Sequence, residues 1–172
     1  YNIEYHKKTF FKLCELLNGY VKHIIVSFLD DYKNVRKNKN ILNYKEMSEN
    51  DYKEIGLSFK KSASNFNMTV QTCFEEKNLT EYGFIKDDCI SHTLAYKKTS
   101  KIYKKWTARK GRKCNCVEMV DIGVYNTCKH MCKYCYANYD EDKIDSNIIK
   151  HNVNSSLLIG ELSENDIIKV RK

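Results

Sequence analysis

Three closely spaced cysteines are the residues of this sequence best suited to bind a reactive metal centre. Cys128, Cys132 and Cys135 follow the pattern C-x3-C-x2-C, and Tyr134 stands directly before the last of them. Three thiolates on one short loop can hold three irons of a cubane cluster and leave the fourth iron open, whereas a structural zinc site takes four protein ligands. The spacing therefore favours a 4Fe-4S cluster with one iron free for chemistry.

Two other interpretations of these thiols stay open. The loop could be a zinc knuckle that His130 or Cys116 completes, or its thiols could be unligated. Ligand spacing alone does not separate an iron-sulfur site from a zinc site, because both metals bind thiolates at short spacings.

A second group of cysteines lies earlier in the chain. Four thiolates could close an auxiliary 4Fe-4S cluster or a structural zinc site, and the candidates are Cys73, Cys89, Cys114 and Cys116. Free cysteine is also among the most commonly buried residue types, so Cys73 and Cys89 could instead be small core residues.

The cysteine spacing, with an aromatic residue before the third cysteine, resembles the signature of radical S-adenosylmethionine (radical SAM) enzymes. That resemblance implies an open iron that chelates S-adenosylmethionine and an electron from the cluster that cleaves it to a 5'-deoxyadenosyl radical. It assigns Tyr134, Gly160 and Glu161 to cofactor binding, since Gly160 and Glu161 resemble the motif that contacts the methionine amino group. The alternative is a turn glycine followed by a surface glutamate. An electron donor such as flavodoxin or ferredoxin is the implied partner.

A closer resemblance covers most of the chain. The segments SFLDDYKNVRKN, TVQTCFEE, CNCVEMVDIGVYNTCKHMCKYCYANYD and SSLLIGEL, from about Val26 to Glu161, resemble the C-terminal part of an uncharacterised prokaryotic family. It is a domain of unknown function with radical-SAM-like cysteines near its C-terminus. Lys129 and Ser156 stand where we expect prolines. In that family an N-terminal half-barrel precedes this region, and the late position of the cysteines implies a permuted barrel.

Length bounds the expected fold. The chain has 172 residues and begins with Tyr1, whereas a closed eight-stranded barrel takes roughly 250 residues. We therefore expect an α/β fold, a partial, permuted radical-SAM-like TIM-type barrel with irregular cysteine-rich loops, whose N-terminal half is a missing partner. Residues 1–96 would form its βαβ part, and residues 97–172 a basic connector and the cysteine region of the same domain.

Periodicity and capping signals predict the individual elements. Residues 4–18 form a helix with Cys14 on its apolar face, and Ser48 with Asp51 opens a second helix as a capping box. The further predictions are parallel strands at His23–Leu29 and Met68–Phe74, buried strands at Val120–Tyr125 and Ser156–Ile159, a helix over 140–151, and a last short helix opened by Ser163 and Asp166.

Charge and cysteine usage indicate compartment and partners. Residues 97–113 are basic, contain Tyr103 and Trp106, and carry no acid. This composition suits nucleic-acid contacts, and equally a solvated linker or a counter-charge for an anionic cluster. The abundance of Lys, Asn, Ile and Tyr also resembles coding bias. Cysteines grouped as ligands favour a reducing cytoplasm, and no apolar run reaches the length of a membrane span.

Overall fold

The computed structural model describes residues 1–73, 75, 77–105 and 115–169. Contacts divide the chain into two compact units, each built from two separate stretches. The first unit comprises Tyr1–Phe28 and Lys45–Met119, and the second comprises Leu29–Tyr44 and Val120–Lys172. The division at residue 96 that the sequence suggests stays a prediction.

The elements are numbered in chain order. The helices are α1 (Ile3–Leu16), α2 (Lys33–Lys37), α3 (Lys39–Leu42), α4 (Glu49–Ser64), α5 (His92–Thr99) and α6 (Glu141–Ile149), and a 3-10 turn covers Thr80–Tyr82. The strands are β1 (His23–Val26), β2 (Thr69–Thr72) and β3 (Ile85–Lys86). Among these, α2, α3 and α6 belong to the second unit and the rest to the first.

The first unit contains a parallel sheet in the order β1-β2-β3. His23 pairs with Thr69 and Val26 with Thr72, so the predicted parallel pair is confirmed. The expected partial TIM-type barrel is wrong, because the sheet found in the described residues is open and has three strands. Its last strand is only two residues long, which gives a fourth strand little backbone to pair with.

The segment predicted as the strand before the cysteines, Val120–Tyr125, is not a strand. Ile122 is 86% exposed, and the Asp121 carboxylate accepts a hydrogen bond from the Gly123 N–H at 2.8 Å. An aspartate that bonds two residues ahead makes a turn, and this local bond competes with a sheet ladder. The prediction of a buried strand from this apolar run is therefore wrong.

The strand and the short helix predicted near the C-terminal end also differ from the structure. Residues 156–159 form bends rather than a strand. The Ser163 N–H does donate to the Asp166 carboxylate at 2.6 Å, as at a helix start, and this bond lowers the pKa of Asp166. A turn follows it instead of a helix. The predicted helix over 140–151 is confirmed as α6.

The core of the first unit lies between α1, α4 and the sheet. Phe10 of α1 stacks on Phe59 of α4 with ring centroids 3.9 Å apart, and Ile24 and Val70 contribute from paired positions of β1 and β2. Cys14 is fully buried in this cluster, which confirms it as a core residue, and its burial raises the pKa of the thiol. Truncating a buried phenylalanine of this kind costs about 3–5 kcal/mol of stability.

The predicted capping box at the start of α4 is confirmed. The Ser48 hydroxyl accepts the Asp51 N–H at 3.2 Å, and the Asp51 carboxylate accepts the Ser48 N–H at 2.8 Å. The Ser48 N–H and the Ser48 hydroxyl both donate to the Asp51 carboxylate, and these two bonds lower the pKa of the Asp51 carboxyl. The two side chains satisfy N–H groups that the first helical turn leaves without partners, so the sequence fixes the start of α4 locally.

Gly56 provides a test of how tightly α4 packs. A Cβ at this position would lie 2.6 Å from the Tyr82 carbonyl oxygen and 2.9 Å from the Phe84 ring. Alanine has the higher helix propensity by about 1 kcal/mol, but overpacking costs about 1–3 kcal/mol. We expect Gly56→Ala to lower the free energy of unfolding by up to about 2 kcal/mol in urea titrations. Exposed Ser64→Ala is the control, and a stabilised Gly56→Ala variant would contradict the packing.

Candidate metal centre

The predicted cluster cysteines lie on one irregular segment of the second unit, residues 126–140, termed here the cysteine loop. The Cys135 N–H donates to the Cys132 carbonyl at 2.9 Å, which closes a four-residue turn. Such turns hold their first and last Cα atoms within about 7 Å, so the C-x2-C pair is brought together by its own backbone. The loop then leads into α6, whose first turn is capped by the Asp140 side chain.

The thiols of the loop are accessible. Cys128 is exposed, and Cys132 and Cys135 are half-buried. Within the described ranges of the chain, no three His, Cys, Asp or Glu side chains are gathered tightly enough to hold a metal ion. The donor set nevertheless fits an iron-sulfur cluster in chemistry, since soft thiolates prefer such clusters and two of the three flank one closed turn. The ligand set stays a prediction.

Three asparagines, termed here the asparagine clamp, fix the backbone of the cysteine loop. Asn34, on α2, donates from Nδ2 to the Cys135 carbonyl at 2.8 Å and to the Asn138 carbonyl at 3.1 Å. Asn138 donates from Nδ2 to the Cys128 carbonyl at 2.6 Å. The third member, Asn126, accepts the Tyr139 N–H on its side-chain oxygen at 2.9 Å. Carbonyls of the first and last cysteines are thus held by amide side chains.

Two more asparagines extend these contacts. Asn38 donates from Nδ2 to the Lys133 carbonyl at 2.8 Å, and Asn147 of α6 donates to the Asn126 carbonyl at 3.0 Å. Sequence reasoning missed all five, because abundant asparagine resembles coding bias. A local signal exists only at Asn126, the first residue of the loop, whose positive φ of 58° is a conformation that asparagine tolerates better than most residues.

Tyrosines and lysines surround the loop. The Tyr136 ring lies 5.5 Å from that of Tyr32 and 6.4 Å from that of Tyr125, centroid to centroid. Tyr134, predicted to bind the cofactor, is exposed. The loop carries Lys129 and Lys133 and no acidic residue before Asp140, which suits an anionic thiolate-ligated centre.

A small polar cleft opens beside the loop. Its volume is about 70 Å³, and its lining comprises Asn34, Lys37, Asn38, Met131, Cys132, Lys133, Asn138, Tyr139 and Glu141. Ligand pockets for drug-sized molecules usually measure about 300–1,000 Å³, so this cleft accepts water or a small ion rather than a nucleoside.

Gly160 ends a bend of the second unit, and Glu161 directly follows it. Gly160 has a positive φ of 80°, and its N–H donates to the Lys150 carbonyl at 3.1 Å. The Glu161 carboxylate is exposed and accepts a hydrogen bond from Asn152 at 2.8 Å. The strand that would precede them in the radical SAM motif is absent from residues 156–159, so this pair rests on the resemblance alone.

The second cysteine group lies in the first unit. Cys73 follows β2 and donates its N–H to the Val26 carbonyl, and Cys89 is half-buried after β3. Cys116 is 2% exposed, and its sulfur accepts the Ile90 N–H at 3.5 Å. The Asn115 N–H donates to the Asp88 carboxylate at 2.9 Å, so the backbone around Cys89 is joined to that around Cys116. Cys114 lies outside the described residues.

The basic stretch is described only in part. Lys97 and Lys98 lie in the last turn of α5, where lysine suits the negative end of the helix dipole. Residues 106–113, with Trp106, are outside the described ranges, so nucleic-acid binding stays a prediction. No helix in the described part of the chain is both long and apolar enough to cross a membrane.

The fold and the loop together define a small α/β protein with a three-stranded parallel sheet and a cysteine-bearing segment held by asparagine. The chain belongs to the family described as domain of unknown function DUF1848, whose match spans residues 1–137. This confirms the family resemblance, and the match includes Cys128, Cys132 and Cys135 but ends before Gly160. No curated protein and no solved structure matches the chain.

The burial of the cysteines predicts an order of thiol reactivity in metal-free protein. Cys128 is exposed and should be alkylated first, whereas burial raises the pKa of Cys14, so less of it is thiolate at pH 8. We expect Cys14 to react more than about tenfold slower than Cys128, as measured by mass spectrometry of peptides. In guanidinium chloride the two rates should converge. Fast labelling of Cys14 in the folded protein would contradict its place in the core.

Proposed function

We propose that this protein is a radical-SAM-like iron-sulfur protein in which Cys128, Cys132 and Cys135 hold a 4Fe-4S cluster. The observation that carries the proposal is the C-x3-C-x2-C loop itself, with its last two cysteines joined by a backbone turn and its thiols accessible. Membership of the DUF1848 family supports it only as far as the match includes this loop.

When bound, such a cluster would have one iron without a protein ligand to chelate S-adenosylmethionine, and the cluster would supply the electron for its reductive cleavage. The chain's own residues would do the holding and positioning. The three thiolates bind iron, the asparagine clamp fixes the backbone that carries them, and Lys129 and Lys133 offset the negative charge of the centre. Tyr134, Gly160 and Glu161 are the proposed cofactor contacts.

The location and the electron supply belong to the same proposal. A low-potential cluster with accessible thiolates functions in a reducing compartment, so we place the protein in the cytoplasm. A small acidic electron carrier such as flavodoxin or ferredoxin would donate the electron, because the loop presents Lys129 and Lys133.

A second candidate function is a non-catalytic metal module, and one contact favours it. The N–H of Ile90 donates to the buried sulfur of Cys116, and such bonds to sulfur tune metal-bound thiolates. With Cys73, Cys89 and Cys114, this sulfur would form an auxiliary 4Fe-4S or zinc site that stabilises the first unit. A protein with this site alone would bind nucleic acid or pass electrons without cleaving S-adenosylmethionine.

Iron binding tests whether the cysteine loop holds a cluster. Anaerobic reconstitution with iron and sulfide should give a brown protein, and changing Cys128, Cys132 and Cys135 to alanine should remove about four irons per chain. Iron and sulfide analysis with the absorption spectrum measures this. Cys14→Ala, which removes a core thiol, should retain the iron. Metal that survives the triple change belongs to the auxiliary site, and tight zinc without iron uptake in the unaltered protein would reject the cluster.

Cleavage of S-adenosylmethionine separates the two candidate functions. Under a strong reductant the reconstituted protein should form 5'-deoxyadenosine and methionine in equal amounts. One electron breaks one carbon-sulfur bond, and the 5'-deoxyadenosyl radical then takes a hydrogen atom from the reductant, the buffer or the protein. Chromatography with mass spectrometry measures both products. Activity should fall to background in the triple cysteine variant, where no cluster forms. A fully loaded protein that makes no 5'-deoxyadenosine would favour the non-catalytic module.

A further inference from the structure

We propose that the asparagine clamp orders the cysteine loop before any metal binds, and that Asn34 is a positioning residue for the cluster thiolates. The second half of this inference rests on the proposed function. The first half concerns the metal-free protein and is tested independently of the proposed function.

Asn34 and Asn138 connect the two ends of the ligand set in series. The Asn34 amide uses both of its N–H bonds, one to the Cys135 carbonyl at 2.8 Å and one to the Asn138 carbonyl at 3.1 Å. Asn138 in turn donates to the Cys128 carbonyl at 2.6 Å. The Cys135 peptide group is therefore bonded directly to the Asn34 side chain of α2. The Cys128 peptide group is connected to the same side chain through Asn138.

Asn126 joins the two ends of the loop. Its N–H donates to the Ala137 carbonyl at 2.9 Å, and its side-chain oxygen accepts the N–H groups of Tyr139 and Asp140 at 2.9 and 3.3 Å. Asn126 is 3% exposed and Asn138 is 7% exposed. Buried amides that lose a partner are costly, so these bonds favour one loop conformation strongly over others.

The clamp holds backbone atoms and leaves the thiols unobstructed. Each clamp bond to a cysteine ends on a carbonyl oxygen, so all three sulfurs stay available to a metal. The loop has no helix or strand of its own to satisfy these carbonyls. Outer groups that orient ligands typically change metal affinity 10- to 100-fold when removed, and Asn34 has that relation to Cys135.

Two substitutions of Asn34 separate hydrogen bonding from packing. Asn34→Ala removes the amide, whereas Asn34→Asp keeps the shape but replaces the NH2 group, which donates both hydrogen bonds, by one acceptor oxygen that faces two carbonyls. If the hydrogen bonds of Asn34 order the cysteine loop, both variants should show the same loss of order in the loop. Asn40→Ala is the matched control, since Asn40 is an exposed asparagine on the neighbouring helix α3.

Hydrogen exchange on metal-free protein gives the first measurement. The Cys135 N–H, bonded to the Cys132 carbonyl, should exchange about tenfold faster in both Asn34 variants than in the unaltered protein and in Asn40→Ala. Exchange in α4, in the first unit, should not change. If an Asn34 variant unfolds, Asn38→Ala, which removes only the bond to the Lys133 carbonyl, replaces it with a smaller expected effect on the same amide.

The reconstituted protein gives the second measurement, the rate of iron loss to a chelator and the midpoint potential of the cluster. We expect both Asn34 variants to lose iron about 10- to 100-fold faster and to show a shifted potential, with Asn40→Ala unchanged. Unchanged hydrogen exchange of the Cys135 N–H in both Asn34 variants would contradict the proposal that the clamp orders the loop. Faster exchange with unchanged iron loss and potential would overturn the positioning role. Faster exchange in a protein that takes up no iron at all would support the clamp and reject the proposed function.

Discussion

A backbone carbonyl outside a helix or sheet still needs a donor, and the cysteine loop has many such carbonyls. Asparagine meets this need with two N–H bonds on a short side chain, so one residue can hold two peptide groups, as Asn34 does for Cys135 and Asn138. Without these amides the loop would keep short turns and the Asn126 N–H bond to the Ala137 carbonyl, but the Cys128 and Cys135 carbonyls would lose the donors that hold them. The accessibility and placement of the thiols follow from this polar scaffold rather than from apolar packing.

The first unit is organised by the opposite principle. Its two long helices meet the sheet through stacked aromatic rings and aliphatic side chains, and Phe10 on Phe59 is the central pair. Burial of this kind is insensitive to direction, so it tolerates some exchange of side chains of similar volume. The second unit also buries Val35 and Ile144, but its cysteine loop depends on hydrogen bonds with fixed geometry. Substitutions that conserve size but not donors are therefore expected to harm the second unit more than the first.

Local signals in the sequence predicted local structure well. The Ser48 and Asp51 box, the parallel pair of β1 and β2 and the core position of Cys14 all depend on residues near one another or on simple periodicity. The barrel was wrong because closure depends on strands at both edges, which no single segment specifies. At Val120–Tyr125 the apolar pattern was overridden by one Asp121 turn bond. The Asn34 contact of the clamp could not be predicted from the sequence, because Asn34 and Cys135 are 101 residues apart.

That separation has a consequence for the order in which the protein is made. Ribosomes add roughly 5–20 residues per second, so α2 waits roughly 5–20 s for the loop that its amide holds, 101 residues later. The first unit is complete once Met119 has emerged, and only then can Leu29–Tyr44 meet Val120 onward. Through that interval Asn34 is hydrated and α2, five residues long, has no loop to stabilise it. Within these 172 residues the second unit is thus completed after the first, and the thiols of the cysteine loop take up their defined placement only once α2 meets the loop.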